Sequence, residues 1–488
     1  DVAWVTSVGE HEIFRVKLPS YAQRSQPDYA PETEQVCPQH WFAPKFLDFL
    51  GIYPQGIVKL NSELEDFHQS DSGIVANIKN LETGNSETIE AKYMVAADGA
   101  RAQIRKQCGV EAVQYHDTQR FQSVVFQAPK LASQLGERNA MVFFLVNPTI
   151  QEPLRAVDGK GQYRLILKPK ENGEIHDAYA AIKAAISIDT PIDIISNLPW
   201  RLNHRVAEKF RHGNIFFIGD CAHTLSPSGG FGMNTGIGDA VDLGWKLAAT
   251  INGWGGENLL DTYETERRPI AVRNLEAANA NLQRTQKRGI PPEIASNSPK
   301  GEAIRQQMAE GMERSGVKKE FDAPGVHLGL RYESPIVIPD GLSLNSVPED
   351  SSKEWNQSSY PGCRAPHAWL KPGLSTLDLF GYGFTLMCFK SKEEGRRKKE
   401  EGWNWDGDLD LPPSESAEVN SNSTVELLTK ICYEKQIPLT IHHIDNPDIA
   451  KLYERAFVLV RPDGHVAWRG DEIPEDVERM MDKVRGAI

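Results

Sequence analysis

The stretch IFFIGDCAHTLSPSGGFGMN, residues 215–234, contains the pattern that decides the fold. Residues 215–218 form an apolar run of strand length, so Asp220 is expected just beyond the end of a buried strand, where open α/β sheets bind their ligands. The glycines that follow can adopt positive φ and let a flat ligand approach the main chain, because no Cβ is in the way. A helix is predicted to begin near Asn234, and its first-turn N–H groups can bind an anion. The stretch therefore predicts a site for a polyhydroxyl chain joined to a ring with negative charge; an ordinary glycine-rich turn is the alternative.

The predicted helix after this turn has an apolar stripe. Its apolar and small residues recur every three or four positions, as expected of one buried helix face. The residues of the stripe are Ile237, Ala240, Val241, Gly244, Ala248 and Ile251. We expect this face to pack against the core of the protein.

A second segment has the same organisation. Residues 93–97 form another short apolar run, which is followed by Asp98 and Gly99. A second carboxylate and a flexible residue are thus expected at a strand end, with a basic helix start that includes Arg105 behind them. We expect the two strand ends, with Asp98 and Asp220, to converge on one ligand.

These two segments carry a resemblance to a known family. The chain resembles the flavin-dependent aromatic hydroxylases with the p-hydroxybenzoate hydroxylase fold. Residues 361–367, 375–381 and 459–465 resemble the C-terminal thioredoxin-like domain of the phenol hydroxylase and polyketide hydroxylase branch. The resemblance covers nearly the whole chain. It implies a mixed α/β fold, with a three-layer FAD/NAD(P)-binding domain, an inserted substrate-binding β-sheet and a C-terminal thioredoxin-like domain.

The same resemblance implies which residues bind the cofactors. Asp220 would bond a ribityl hydroxyl of FAD, and Pro227 would border the flavin ring. The segment from Asp98 to Arg105 is associated in the family with both FAD and NAD(P)H, but Ala102 stands where a serine is usual. The complete set implied to bind cofactor is Gln39, Asp98, Gly99, Arg105, Asp220, Pro227, Gly229, Gly230, Gly232, Met233 and Asn234, the amides of the last three facing the pyrimidine edge of the flavin.

The implied activity is the hydroxylation of a phenolic or polyketide aromatic compound. In the family, NAD(P)H reduces FAD, the reduced flavin captures O2 as a C4a-hydroperoxide, and one oxygen atom passes to the aromatic ring. The sequence does not identify a catalytic base. A Baeyer–Villiger or epoxidising monooxygenase on the same scaffold and a non-catalytic truncated remnant are the alternatives.

The remnant alternative is motivated by the start of the sequence. Family members open with a strand, a Gly-x-Gly-x-x-Gly turn and a helix that hold the ADP half of FAD. The present sequence begins at Asp1 and has no such turn, and residues 2–5 already resemble a strand of the substrate sheet. We therefore expect this chain, taken alone, to bind FAD poorly.

The resemblance also implies a domain organisation. Residues 1–290 would form the FAD-binding monooxygenase domain, with 1–30 and 119–205 in the substrate sheet and 31–118 and 206–290 in the flavin part. Residues 291–330 would form a linker and 331–488 the thioredoxin-like domain, with a mobile polar loop around 412–424. None of the six cysteines forms a C-x-x-C pair, so this last domain cannot exchange dithiols and is expected to be structural, in packing or in homodimer contacts.

Composition is typical of a cytoplasmic enzyme with a small-molecule substrate. The net charge of −13 argues against nucleic-acid binding, since phosphate recognition needs clustered Lys and Arg. No apolar run approaches the length of about 18 residues that a membrane helix needs, so membrane insertion is not expected. Six cysteines in 488 residues are too sparse for the disulfide framework of a secreted protein. A metal site is not predicted, because His442 and His443 would point to opposite faces of a strand.

Overall fold

The computed structural model describes residues 1–19, 23–170, 173–286, 289–317, 323–342, 355–389 and 418–488. The strands are β1 (Val2–Val5), β2 (Glu12–Val16), β3 (Ser62–Ser70), β4 (Gly73–Asn80), β5 (Ser86–Ala91), β6 (Met94–Ala96), β7 (Ala112–Gln127), β8 (Val142–Leu145), β9 (Pro153–Ala156), β10 (Gln162–Leu167), β11 (Asp193–Ala207), β12 (Arg211–His212), β13 (Ile215–Phe217), β14 (His223–Thr224), β15 (Trp369–Lys371), β16 (Leu374–Ser375), β17 (Phe384–Phe389), β18 (Leu439–Ile444), β19 (Phe457–Val460) and β20 (Val466–Gly470). The α-helices are α1 (Gln39–Leu50), α2 (Gln103–Gln107), α3 (Leu131–Leu135), α4 (Ala178–Ile186), α5 (Phe231–Ile251), α6 (Thr262–Gln286), α7 (Pro299–Ser315), α8 (Pro324–Leu328), α9 (Glu418–Glu434), α10 (Pro447–Tyr453) and α11 (Val477–Val484).

The largest element is an eight-stranded sheet with the strand order β14-β11-β7-β10-β9-β8-β1-β2. Its strands alternate side chains between the two faces, so each face has its own cover. One face buries residues such as Phe126 and Leu165 against Ile182 of α4. On the other face, the β8-β1-β2 end packs against α7 through Trp4 and Met312. The segment expected to be a linker therefore contains a helix that covers part of this sheet.

A smaller sheet, β12-β13-β6, brings the two predicted ligand-binding strands side by side. Strands β13 and β6 are parallel, with Ile215 opposite Met94 and Phe217 opposite Ala96. Both strands therefore end at the same edge of the sheet. The sheet is buried against α6 through aromatic residues that include Tyr263, whose hydroxyl donates to the carbonyl of Phe217 at 2.8 Å. The third sheet of this part of the chain, β3-β4-β5, is an antiparallel meander.

Helix α5 corrects two predictions. It begins at Phe231, three residues before Asn234, because Gly230 adopts φ +72° at the N-cap. The stripe predicted to be buried is exposed: Ile237 is 41% and Val241 is 50% accessible. The buried side of α5 is instead lined by Phe231, Thr235, Asp239, Asp242, Leu243, Trp245, Lys246 and Ala249. The apolar spacing thus predicted the helix correctly, but the face it predicted to be buried is the exposed one.

The C-terminal part is built around the sheet β18-β17-β19-β20. Strands β17 and β18 are parallel, and the other neighbours are antiparallel. Its core joins that of the preceding part, because Trp245 and Trp254 pack against Phe384. The loop expected around 412–424 lies in part outside the described residues, and from Glu418 onward the chain is helical. The thioredoxin-like character of this part stays a prediction.

Candidate functional site

The carboxylates of Asp98 and Asp220 lie at one edge of the small sheet, as the parallel pairing of β6 and β13 requires. Cys221, the residue after Asp220, is hydrogen-bonded through its side chain to Asp98 and so links the two strand ends. Burial first, and the adjacent Asp98 next, raise the pKa of the Cys221 thiol. Arg105 is buried beneath the same point, where it donates from Nε to the carbonyl of Cys221 at 2.9 Å and from Nη1 to that of Val110 at 2.5 Å. The guanidinium of Arg105 thus holds the turn from inside.

The backbone at this edge has conformations and free space that suit a flat ligand. Gly99, Gly219 and Gly230 have φ of +74°, +57° and +72°, a region that is costly for residues with a Cβ. A Cβ built on Gly99, Gly230 or Gly232 would meet nothing within 4 Å. These glycines therefore border an open cradle that side chains would fill, and this geometry fits the ring and ribityl chain of a flavin.

The N-terminus of α5 opens onto the same cradle. Gly230 supplies no side-chain cap to the first helical N–H groups, and its own amide donates to the carbonyl of Pro227 at 3.1 Å. Met233 and Asn234 are exposed in the first turn, where Asn234 donates from Nδ2 to the carbonyl of Gly230 at 2.9 Å. Uncapped amides at the positive end of a helix dipole favour an anionic group.

The two carboxylates differ in how they are held. Asp98 accepts a hydrogen bond from the Ile104 amide at 3.1 Å and so caps α2. Asp220 reaches solvent, but the protein atoms crowded around it raise its pKa, an effect that His223 opposes. Within the described part of the chain, no hydrogen-bond donor engages the Asp220 carboxylate. Its lone pairs are therefore available to the hydroxyl groups of a ligand.

Two predicted residues are placed differently from this cluster. Gln39 is the first residue of α1 and is exposed, and no hydrogen bond links it to the glycine-lined turn in the described ranges. Gly229 has φ +90°, but a Cβ there would lie 2.6 Å from the Phe231 ring, so this glycine permits packing rather than ligand approach. The remaining predicted residues, Asp98, Gly99, Asp220, Pro227, Gly230, Gly232, Met233 and Asn234, surround the cradle, and Arg105 lies beneath it.

Sequence reasoning missed Asp239, which supports the turn from inside α5. Its Oδ2 accepts hydrogen bonds from the Gly219 amide at 3.0 Å and from His223 Nε2 at 2.7 Å. Asp239 is fully buried. Burial alone would raise its pKa, but the electrostatic interactions and hydrogen bonds with His223 and Arg267 outweigh burial and lower it. The sequence signal that could have revealed Asp239 is an acidic residue on the face of α5 opposite the apolar stripe.

Comparison with known proteins identifies the family of this chain. Residues 10–278 match the model of the FAD binding domain family, and residues 358–487 match the aromatic-ring hydroxylase C-terminal family. The chain belongs to the FAD-dependent aromatic-ring hydroxylases. A protein assigned as a polyketide hydroxylase in Streptomyces halstedii is 32% identical, over 91% of this chain and 76% of the relative. Tetracenomycin B2 monooxygenase-dioxygenase of Streptomyces olivaceus is 28% identical, over 94% of this chain and 78% of the relative.

Solved structures give the same assignment. The rebeccamycin biosynthetic enzyme RebC with reduced flavin has a TM-score of 0.87 and 44% identity, covering 100% of this chain and 85% of RebC. RebC soaked with chromopyrrolic acid, with bound 7-carboxy-K252c, has a TM-score of 0.88 at the same identity and coverage. The predicted family, fold class, FAD cofactor and aromatic monooxygenase activity are thereby confirmed.

Other features of the described chain concern the remaining predictions. None of its helices is both long enough and apolar enough to cross a bilayer. Within the described ranges no group of three or more His, Cys, Asp or Glu side chains could hold a metal ion. A homodimer and a cytoplasmic location stay predictions.

Proposed function

We propose that this hydroxylase acts on a planar polycyclic aromatic acid, whose carboxylate is bound by Arg155 and Arg164 on the large sheet. The observation that carries the proposal is the register of β9 and β10. Arg155 and Arg164 are directly opposite each other in this antiparallel pair, so their side chains project from the same face. A carboxylate held between them would contact two guanidinium groups at once.

The surroundings of Arg164 support an anion-binding role. Its Nε donates to Ser123 Oγ at 2.9 Å, which orients the guanidinium. Among the described residues neither Nη group has a hydrogen-bond acceptor, so both could bind a ligand. Burial first, and the positive charge of Arg155 second, lower the pKa of Arg164. A guanidinium stays charged even so, and its two parallel N–H groups match a carboxylate.

The same face of the sheet places aromatic rings beside the arginine pair. Trp200 and Phe121 are in contact on one side, with ring centroids 5.2 Å apart, and Trp200 also lies 5.9 Å from the Arg164 guanidinium. Trp4 and Phe144 stack at 5.0 Å on the other side, where α7 covers them, so they form the floor of this end of the sheet. Aromatic rings around a small number of polar groups are the usual lining of a small-molecule site, and here they suit a large fused ring system.

The relatives agree with this chemistry. RebC, 44% identical over the whole chain, binds 7-carboxy-K252c after a soak with chromopyrrolic acid, and both compounds are acids by name. Tetracenomycin and aklavinone hydroxylases are also among the relatives. We infer that an extended aromatic skeleton is common to these substrates and that the carboxylate is the feature that Arg155 and Arg164 would select.

The roles of the chain's own residues follow from their positions. Bound FAD, with NAD(P)H as the proposed reductant, supplies the activation of O2. Asp220 would hold the ribityl chain, and the first-turn amides of α5 would stabilise negative charge on the flavin ring. The large sheet would orient the substrate and exclude water, and β14 continues from that sheet directly into the glycine-rich turn. The sheet and the turn are thus neighbouring parts of one continuous structure.

A matched pair of ligands tests the carboxylate proposal. RebC has also been soaked with K252c, whose name lacks the carboxy group. In the full-length, FAD-loaded protein, 7-carboxy-K252c should bind more tightly than K252c by about 10- to 100-fold, the effect of a charge-assisted bidentate contact. Arg164→Met should abolish this preference with little effect on K252c. Arg120→Met, an exposed arginine on β7 of the same sheet, should leave it intact. Equal affinity of the wild type for the two ligands would refute the proposal.

A further inference from the structure

The segment 459–465 of the C-terminal part inserts a charged side chain into the flavin-binding part. Arg461 is completely buried. Its Nη1 and Nη2 donate to the two carboxylate oxygens of Glu266 on α6 at 2.7 and 2.8 Å, and Nη2 also reaches Asp242 on α5 at 3.1 Å. Lys246 joins the same pair of carboxylates, at 2.8 Å from Asp242 and 2.7 Å from Glu266. The C-terminal part thus supplies a counter-ion on which the packing of α5 against α6 depends.

A second connection runs through Tyr332. Arg267 on α6 donates from Nη1 to the Tyr332 hydroxyl at 2.9 Å and from Nε to Asp239 Oδ1 at 2.8 Å. The Tyr332 ring also lies 5.1 Å from the Arg461 guanidinium, so the two connections touch each other. All four side chains are buried. The chain of contacts ends at Asp239, whose other oxygen binds the Gly219 amide and His223.

The packing leaves this network little freedom to shift. A Cβ on Gly236 would lie 3.1 Å from the Gly219 Cα, so α5 is pressed directly against the turn. A Cβ on Gly238 would lie 2.7 Å from Arg267 Nη2. Because both glycines allow approaches that a side chain would block, a displacement of α5 must be transmitted to the residues around Asp220 rather than absorbed by loose packing.

We propose that Asp239 is a positioning residue for the flavin-binding turn, and that the C-terminal domain sets its position through Arg461 and Tyr332. The carboxylate of Asp239 holds both ends of residues 219–223, so Asp220 is carried between two anchored points. Through these contacts the C-terminal domain fixes the helix on which the anchor stands. This inference rests on the proposed role of Asp220 in holding FAD.

The test must separate positioning from the ordinary cost of breaking a buried ion pair. The chain offers a matched control in Arg469, which is also buried in the C-terminal part and donates from Nε to Asp340 Oδ2 at 2.8 Å. Arg461→Lys and Arg469→Lys each remove a buried guanidinium that pairs with carboxylates, and Asp239→Asn and Asp340→Asn each remove the charge of a carboxylate that pairs with an arginine. Only the first member of each pair lies in the network that reaches the turn.

The experiment uses the full-length protein and measures the Kd for FAD, the midpoint potential of the bound flavin and the melting temperature of the apoprotein. Asp239→Asn should raise the Kd by about 10- to 100-fold, as expected for a lost charged hydrogen-bond set, and Arg461→Lys should raise it by roughly three- to tenfold through a supporting contact. Both should shift the flavin potential. The two controls should lower the melting temperature with Kd and potential unchanged.

The outcomes distinguish this inference from the function on which it rests. A wild type that retains FAD, with variants of Asp239 and Arg461 that match their controls in Kd and potential, would overturn the positioning role alone. An Asp220→Asn variant that binds FAD as tightly as the wild type would instead overturn the role proposed for the turn itself. Should Arg461→Lys not fold, Tyr332→Phe removes only the hydroxyl that Arg267 contacts, and an unchanged flavin potential in that variant would equally refute the inference.

Discussion

Replacing Asp220 by Asn should weaken FAD binding without destabilising the protein. The carboxylate reaches solvent at the cradle and has no hydrogen-bond donor among the described residues, so its removal should change the free energy of unfolding by less than about 0.5 kcal/mol. A hydrogen bond from a ribityl hydroxyl to a charged acceptor contributes about 1.5–3 kcal/mol. The Kd for FAD should therefore rise by about 10- to 150-fold.

The pH dependence of binding adds a second measurement on the same variant. The pKa of Asp220 is raised above its ordinary value of 3.8, so the acidic form, which accepts fewer hydrogen bonds, becomes populated at a higher pH than in an exposed aspartate. FAD affinity of the wild type should be full above that raised pKa and fall as the pH drops through it. Asp220→Asn should lack this step.

Fluorescence titration of the full-length apoprotein with FAD measures both effects. Asp261→Asn is the matched control, because Asp261 is an exposed carboxylate paired with Arg211 at 2.6 Å and lies outside the cradle. The control should bind FAD like the wild type at every pH. A less than threefold change in Kd for Asp220→Asn, with the pH step retained, would show that this carboxylate does not hold the ribityl chain.

Two further predictions concern stability and thiol chemistry. A Cβ on Gly256 would lie 2.2 Å from the backbone nitrogen of Ala487, so Gly256→Ala should lower the free energy of unfolding by more than about 2 kcal/mol. Gly311 lies on α7, and a Cβ there would meet nothing within 4 Å. Gly311→Ala should therefore raise the free energy of unfolding by about 0.5–1 kcal/mol in the same denaturant titration. Burial raises the pKa of Cys388 to about 11 and that of Cys432 to about 12, whereas Cys37 is exposed. A thiol reagent should therefore modify Cys37 rapidly in the native protein and these two buried thiols only on unfolding. Peptide mapping that finds Cys388 or Cys432 labelled as fast as Cys37 in the native protein would contradict this.

The strand ends of the site could be predicted because local chemistry determines them. An apolar run with an acidic residue and a glycine at its end is typical of a buried strand that ends in a turn, as at Asp98 and Asp220. The parallel pairing of the two strands then brings their ends together. The positive φ values of Gly99 and Gly219 follow from the same turn chemistry. The opposed arginines of β9 and β10 could not be found in this way, because the register of two strands is a property of the folded sheet.

The buried side of α5 could not be predicted for a different reason. Hydrophobic periodicity assumes that charged residues face water, and this assumption fails when opposite charges are buried together. Asp242 and Lys246 lie one helical turn apart and pair with each other at 2.8 Å, and their remaining partners come from distant parts of the chain. Arg461, for example, is 219 residues away from Asp242 in sequence. Sequence spacing contains no signal for a pairing over that distance.

The location of these charges explains why an ionic contact, rather than an apolar one, suits the junction between the two parts of the chain. Buried ion pairs add little net stability, but a mispaired charge is strongly unfavourable, so they select one arrangement over its neighbours. An apolar interface such as that of Trp245 with Phe384 would tolerate a small slide of α5, whereas the bidentate contact of Arg461 with Glu266 would not. Because Asp239 lies on that same helix, the proposed positioning role predicts that the precision of the ionic junction sets the precision with which Asp220 would be presented to a bound flavin.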